Sequence, residues 1–343
     1  MGRGGHAALT AGDGPRPALS DPLPDPTAEA AELVRRPAVD VVIPFAGPEH
    51  ELWPLVARAA QLERSPGDSI LVVDNRGQHS RAAPASASPP TPAGVVRVLA
   101  APELRSSYHA RNRGAATGRA PWLLFLDADV EWPANLIDSY LDSEPGSRVA
   151  VLAGGVLDAP LDGGRRATPA ERYAVETGTM ALVAGVPAPH RPPYAQTANC
   201  LVRRSAFEEI GGFADAIRSG GDADLCFRLQ AAGWTVEQRP AAGVLHRNRR
   251  SLAALLAQKA RHGAGAAWLE RRHQGTFPRR RWPGLAAWSV RSILKARREQ
   301  PGAAAVAVID VLSTWAFELG RVLPNSPGPS RLRHPFRLPR RRR

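Results

Sequence analysis

Cysteine is almost missing from this sequence: Cys200 and Cys226 are the two in 343 residues. Two thiols could pair, but they cannot build the disulfide framework of a small secreted domain, so a reducing compartment is expected. Residues 1–26, rich in Gly, Pro and Ala, contain no apolar segment suited to a signal peptide, and a disordered leader is expected over 1–37. No uninterrupted apolar run has the length of a bilayer span; the nearest, 303–323, carries Asp310 and Glu318. There is no internal repeat. Lysine is scarce beside arginine and alanine is abundant, the composition of a GC-rich bacterial genome.

What is present suits one large α/β domain with appendages: 343 residues, of which 43% are hydrophobic, ample for a packed core. Charge is unevenly placed. Residues 247–343 hold 22 Lys and Arg against 4 Asp and Glu, whereas the net charge of the whole chain is only +13. The globular part is therefore mildly acidic and the tail strongly basic. Such a tail suits an anionic membrane surface or a solvated, disordered end. Its amphipathic stretches, 283–298 and 308–323, could lie in a membrane interface or pack on the parent domain. The closing run Arg340 to Arg343 is too short to specify a partner.

Residues 39–43 read as a strand closed by Pro44. A helical pattern over 49–62 puts Leu52, Leu55, Val56, Ala59 and Leu62 on one face. Residues 69–73, SILVV, resemble a strand buried on both faces, and they run into Asp74 and Asn75. Strand, helix, strand is a βαβ unit. A loop over 76–94 leads to a strand over 94–100, a helix over 106–117 stopped by Gly118, and a buried strand over 122–126. Further strands are expected at 149–157, 198–203 and 234–238, with 244–246 beginning the exit from the domain. Weak helical character marks 168–191, and helices are expected at 205–210, 222–232 and 252–272, the last weakened by Gly263 and Gly265. This alternation predicts an α/β fold with a mostly parallel sheet flanked by helices and a helical, basic C-terminal extension. The domains are expected at 1–37, 38–272 and 273–343.

In such sheets ligands bind beyond the carboxyl ends of the strands. Asp74 follows one strand; Asp127 and Asp129 follow another. Two carboxylates spaced i, i+2 after a strand can share a hard divalent cation and its diphosphate ligand. Acids in such loops also serve as helix caps. An FLDAD run directly after an apolar strand is a stronger signal than a lone pair of acids.

Six motifs in order resemble family 2 glycosyltransferases of the GT-A fold, over about residues 38–270: VVIP at 41–44, LVVDN at 71–75, ARNRG at 110–114, LFLDAD at 124–129, GGDADLCFRL at 220–229 and LH at 245–246. The resemblance implies a nucleotide-diphosphate sugar donor, a hydroxyl acceptor, a divalent metal (Mn2+ or Mg2+), and an inverting in-line transfer; the scarcity of cysteine and the basic tail give the expected location, cytoplasmic or at the inner face of the plasma membrane. It implies that Asp74 contacts the base with Pro44 and Phe45 lining that pocket, and that Arg111 and Asn112 position the nucleotide or its diphosphate. Asp127 would face the ribose or the metal. Asp129 would bind the metal, with His246 completing its site. Asp222 is the expected general base, and Asp224 the second candidate. Gly221 departs from the pattern, since the family commonly has Glu there. Arg228, one turn after Asp224, can pair with it. Asn199 and Cys200 fall where the family places acceptor-side residues, the thiol reading as packing. Trp53, Trp122 and Trp234 read as core or pocket wall.

Competing readings are a nucleotidyltransferase, a scaffold that binds without turnover, and a protein that binds nucleic acid or membrane through its tail. Pro44 to Pro48 is not a Gly-rich phosphate loop, which counts against the first. No nucleic-acid module with interleaved aromatics is present, so nucleic acid is not the expected partner.

Overall fold

The computed structural model describes residues 36–77, 95–161, 167–178, 191–298 and 303–327. The expected leader, nearly all of the 76–94 loop, residues 179–190 and the terminal arginine run lie outside the described residues. Strands β1 (Val39–Phe45), β2 (Ser69–Asp74), β3 (Arg97–Ala100), β4 (Trp122–Leu126), β5 (Val130–Glu131), β6 (Val149–Asp158), β7 (Asn199–Arg203) and β8 (Thr235–His246) form one sheet in the order β3-β2-β1-β4-β7-β6-β8-β5. The pairs β3/β2, β2/β1, β1/β4 and β6/β8 are parallel; β7 runs antiparallel between β4 and β6, and β5 antiparallel to β8. The expectation of a mostly parallel sheet flanked by helices holds.

The apolar runs that predicted buried strands are buried because both sheet faces are covered. On one face Val39, Val41 and Ile43 pack with Leu52, Leu55, Val56, Ala59 and Leu62 of helix α1 (Leu52–Ala59) and the turn after it. Val42, Leu71, Val73, Leu123 and Phe125 pack on the opposite face. There they meet helices α2 (Ser107–Ala115), α5 (Arg204–Glu209) and α6 (Gly221–Ala231). Each such aliphatic side chain taken from water contributes about 1.5–3 kcal/mol. Two short helices, α3 (Leu136–Tyr140) and α4 (Pro169–Thr177), complete the domain's elements before α5.

At the amino end of the sheet Asp40 is buried. It accepts from Arg204 Nη2 at 2.6 Å and the Ala120 amide at 2.9 Å, and from the Ser69 hydroxyl. Removing one member of a buried pair strands the other charge. Asp40→Ala is therefore expected to destabilise the fold by about 3–5 kcal/mol, read as a fall in urea midpoint; a midpoint unchanged from the parent would contradict it.

Strand β8 departs from expectation. A strand over 234–238 and a separate exit at 244–246 are in fact one strand, interrupted by a register shift against β6 between Gly154 and Val156. Pro240 falls within that irregular stretch, where its missing N–H costs no ladder bond. The strand then resumes and delivers His246 opposite Val130 of β5.

Helices α7 (Leu252–Arg272), α8 (Trp282–Ala296) and α9 (Ala303–Gly320) follow. Gly263 does not weaken α7. It lets α9 approach so closely that an added Cβ would collide with the Phe317 carbonyl, and one on Gly320 would collide with the Ala260 carbonyl. Gly265 likewise admits Ser219. Helix α9 is long and apolar enough by length and composition to cross a membrane, yet it carries Asp310, bonded by the Tyr173 hydroxyl at 2.9 Å, and Glu318 beside Arg321. Trp282 on α8 stacks 5.5 Å from Trp315 on α9, while Val290, Leu294, Leu312 and Leu319 of these helices are exposed.

Candidate active site

A cavity of about 990 Å3 opens at the carboxyl ends of β1 and β4. Its wall brings together Pro44, Phe45, Arg111, Asp127, Asp129, Asp222 and His246, seven of the ten residues singled out from the sequence. Local structure explains how each arrives there.

The ARNRG motif is a packing device with one residue turned to the cavity. Ser106 caps α2 and donates its hydroxyl to the Ile217 carbonyl at 2.8 Å. Ala110 is fully buried, and Gly114 lies so close to β1 that an added Cβ would collide with Val42. Arg111, buried on the same helix, reaches the Asp127 carboxylate, and its guanidinium lies 5.6 Å from the Tyr108 ring centroid. Burial pushes the Asp127 carboxyl up, and the Arg111 charge opposes that rise.

Asp127 and Asp129 fall in the turn between β4 and β5. His246, at the end of β8, places Nε2 3.6 Å from an Asp129 oxygen, and the Arg247 amide donates to the Asp129 carbonyl at 3.1 Å. Arg249 also reaches the Asp129 carboxylate, at 3.1 Å. Among the described residues no group of three or more His, Cys, Asp or Glu gathers to hold an ion. The pair Asp129 and His246 nonetheless presents the oxygen and imidazole donors that suit Mn2+, with room for phosphate oxygens to complete the set. Two buried polar atoms here, Arg111 Nε and His246 Nδ1, have no partner among the described residues. Such atoms mark a place where a ligand or water belongs.

Asp222 lies in the first turn of α6, entered through Gly220 at φ +90, a left-handed conformation open to glycine. Its Oδ1 accepts from the Ala223 amide at 3.0 Å. Desolvation raises its pKa above the ordinary 3.8, opposed by that amide and by Arg111. The departure at Gly221 has a physical cause: a Cβ there would meet Tyr108 Cε1 at 2.6 Å, and Cδ1 and Cζ at 2.8 Å. The Tyr108 ring fills the space a side chain at 221 would need. Gly221→Glu is expected to lower the melting temperature and disturb Asp222, and Tyr108→Ala in the same chain to restore stability. If Gly221→Glu alone melts with the parent, Tyr108 is not the obstacle.

Three residues singled out from the sequence stand away from the cavity wall. Asn112 is a clamp: its amide donates to the Phe213 carbonyl at 2.9 Å and accepts from the Phe213 amide at 3.0 Å, so both of its polar atoms position a loop. Asp224 is fully buried, its carboxylate bonded to Arg228 at 2.8 Å, Arg272 at 2.8 Å and His273 at 2.9 Å; it ties α6 to the end of α7 and cannot reach an acceptor. Asp74 ends β2 beside Phe45, at the expected sheet edge, but Arg76 holds its carboxylate at 2.8 Å. Asn199 is likewise inward: it accepts from Tyr140 at 2.8 Å and donates to the Ala242 carbonyl at 2.7 Å, bracing the irregular stretch of β8. Cys200 and Cys226 are buried free thiols. Trp53, Trp122 and Trp234 belong to the two cores.

Sequence reasoning did not find Tyr108, Tyr194, Arg58, Arg218, Arg249, Lys259 or Arg261 on the same wall. The cations in 247–261 were legible only as net charge, because their helical face becomes meaningful once α7 is seen to border the cavity.

Comparison with known proteins gives four findings. Residues 122–317 match the family described as Glycosyl transferase family group 2. The chain is 32% identical over 182 residues to a pre-mycofactocin glycosyltransferase of Mycobacterium tuberculosis, covering 52% of this chain and 38% of that protein. It is 30% identical over 198 residues to an N-acetylglucosaminyl-diphospho-decaprenol L-rhamnosyltransferase of the same organism, covering 51% of this chain and 62% of that protein. It therefore spans less than two thirds of either relative. A mannosyltransferase from Pyrobaculum calidifontis, solved in complex with GDP-Man and Mn2+, aligns with a TM-score of 0.47 at 15% identity over 84% of this chain and 74% of that one.

Proposed function

The chain belongs to glycosyl transferase family group 2, matching it over more than half its length, and from that premise we propose that it moves a sugar from a nucleotide-diphosphate donor to an acceptor hydroxyl with inversion. The observation that carries this reading is the convergence of Asp127, Asp129, His246, Arg111 and Asp222 on one cavity at the carboxyl edge of a GT-A type sheet. Phe45 and Pro44 offer an apolar wall for the base, with Asp74 just behind them at the same edge. Arg111 places positive charge where the diphosphate would lie. Asp129 and His246 would hold a divalent cation, Mn2+ or Mg2+, which when bound supplies Lewis-acid stabilisation of charge on the departing diphosphate.

Asp222 acts as general base. The acceptor oxygen attacks the anomeric carbon as the bond from that carbon to the diphosphate oxygen breaks. The hydroxyl proton passes to Asp222, and the nucleoside diphosphate leaves with the electron pair. The raised pKa of Asp222 suits this task, because a more basic carboxylate takes a proton more readily.

The names of the two relatives suggest acceptors in cell-envelope or natural-product glycoside synthesis. The exposed apolar faces of α8 and α9, beside Arg279, Arg280, Arg281 and Arg291, support docking on an anionic membrane surface, with the domain at the inner face of the plasma membrane. Incubating the full chain with a panel of nucleotide sugars and Mn2+, scored by released nucleoside diphosphate, tests the activity. Folded protein that releases none above buffer with any donor would refute it.

A further inference from the structure

The direction of the Asp129 side chain is set by the two planar peptide groups that flank its Cα. The turn that carries Asp129 holds them loosely, because its closing bond, from the Val130 amide to the Asp127 carbonyl, is long at 3.5 Å. Both groups are tied from outside the turn instead. After Asp129, the Arg247 amide donates to the Asp129 carbonyl at 3.1 Å. Before it, the Ala128 carbonyl accepts from Arg58 Nη2 at 2.7 Å. The first tie is main chain leaving β8; the second is a single side chain of α1.

Arg58 is braced for that bond. It lies in the last turn of α1, and its guanidinium sits over the Trp132 ring, 4.6 Å from the centroid. Stacking on an aromatic face restricts where the N–H groups of a planar guanidinium point. Trp132 follows β5 directly, and two residues later the Ala134 carbonyl accepts from the Glu63 amide at 2.9 Å. The end of α1 is thereby joined to the acidic turn and its continuation at residues 128, 132 and 134. Burial lowers the pKa of Arg58, and the like charge of Arg247 adds to that, with Glu131 and Asp129 acting the other way. A neutral side chain would cover Trp132 without this desolvation, so packing alone does not account for an arginine here.

We propose that Arg58 is a positioning residue for the metal-binding acid: by holding the Ala128 carbonyl it keeps the Asp129 carboxylate aimed at the cation site shared with His246. The proposal rests on the metal reading above. Arg58 acts on that site in two opposite senses. Its positive charge repels a divalent cation, whereas its bond to the turn favours one. The repulsion is screened, because the Asp129 side chain is about one third exposed. Groups that orient metal ligands account for about ten- to hundredfold in metal affinity, so the bond outweighs the charge. The sign of the change on removing both therefore separates positioning from plain electrostatics.

The test uses the full chain with Arg58→Met, which keeps a stem over Trp132 but removes donor and charge, and Arg58→Lys, which keeps both. Binding of UDP, GDP and dTDP is measured by calorimetry across a Mn2+ titration and again without metal, beside the melting temperature. With the nucleotide that the parent binds, Arg58→Met is expected to need about tenfold more Mn2+ for the same occupancy. Its metal-free nucleotide affinity should match the parent's, and Arg58→Lys should recover part of the loss. A Mn2+ requirement in Arg58→Met that is unchanged or lower overturns the proposal, even if the variant melts earlier, because only packing or charge would then remain. An equal loss of nucleotide binding without metal also overturns it, since Arg58 would then touch the donor itself. If Arg58→Met does not fold, Trp132→Leu is read in its place. Arg58 then lacks its ring, and the Mn2+ requirement should rise about threefold; no rise overturns the proposal. A parent whose nucleotide binding ignores Mn2+ brings down the metal reading and this proposal together. A Mn2+-dependent parent beside an Arg58→Met that needs no more of the metal sinks this proposal alone.

Discussion

Asp222→Asn is expected to lower kcat a hundred- to ten-thousandfold, the usual contribution of a general base, while nucleoside-diphosphate binding stays at the parent level. The carboxylate sits in the first turn of α6 on the cavity wall, and its desolvation raises its pKa above 3.8. Two further results follow from that direction. Turnover should fail on the acid side at a pH higher than an ordinary aspartate would give, as Asp222 takes up its proton. The native state also binds that proton more tightly than the unfolded chain, so ionised Asp222 costs stability once the pH rises above 3.8. Asn removes that cost, and the variant should melt no lower than the parent at neutral pH. Asp224→Asn is the contrasting case: it leaves Arg228, Arg272 and His273 around a buried, neutral side chain. That variant should lose about 3–5 kcal/mol of stability, whatever it does to turnover. A parent-like kcat in Asp222→Asn would remove Asp222 from the reaction.

Asp129→Asn is expected to weaken donor binding in the presence of Mn2+ by at least about a hundredfold. Changing residues that merely orient metal ligands already costs up to that much. Binding measured without metal should change little, which separates loss of a ligand from damage to the cavity. His246→Ala should act in the same direction but less, since it leaves the carboxylate in place. The folded state should tolerate Asp129→Asn, because the Asp129 carboxylate is about one third exposed and its pairing with Arg249 is solvent-screened. Calorimetric titration of a nucleoside diphosphate with and without Mn2+ decides the matter; equal metal dependence in variant and parent would contradict the role given to Asp129.

The sheet was readable because VDVVI, SILVV and WLLFL could be nothing but strands buried on both faces, and acids directly after such strands must gather at one edge. The resemblance of the ordered motifs to family 2 glycosyltransferases carried the cavity residues Arg111, Asp127, Asp129, Asp222 and His246. Legibility stopped where a polar side chain had two possible uses. Asn112 and Asp224 lie within the right motifs, yet each spends its hydrogen bonds inside the fold, and only partners about 100 and 49 residues away in sequence reveal it. Residues 234–238 and 244–246 read as separate pieces, and the register shift beside Pro240, which removes the need for its absent N–H, joins them in one strand. Gly221 read as a lost acid; the ring of Tyr108, more than a hundred positions earlier, explains the vacancy.

Gly263 against the Phe317 backbone and Gly320 against the Ala260 backbone bring α7 and α9 into direct main-chain contact. With no side chain between them to bend, α7 and α9 must shift as a pair. A surface that seizes the outer helix would also reposition Lys259 and Arg261, so adhesion and the electrostatic character of the cavity become one mechanical variable.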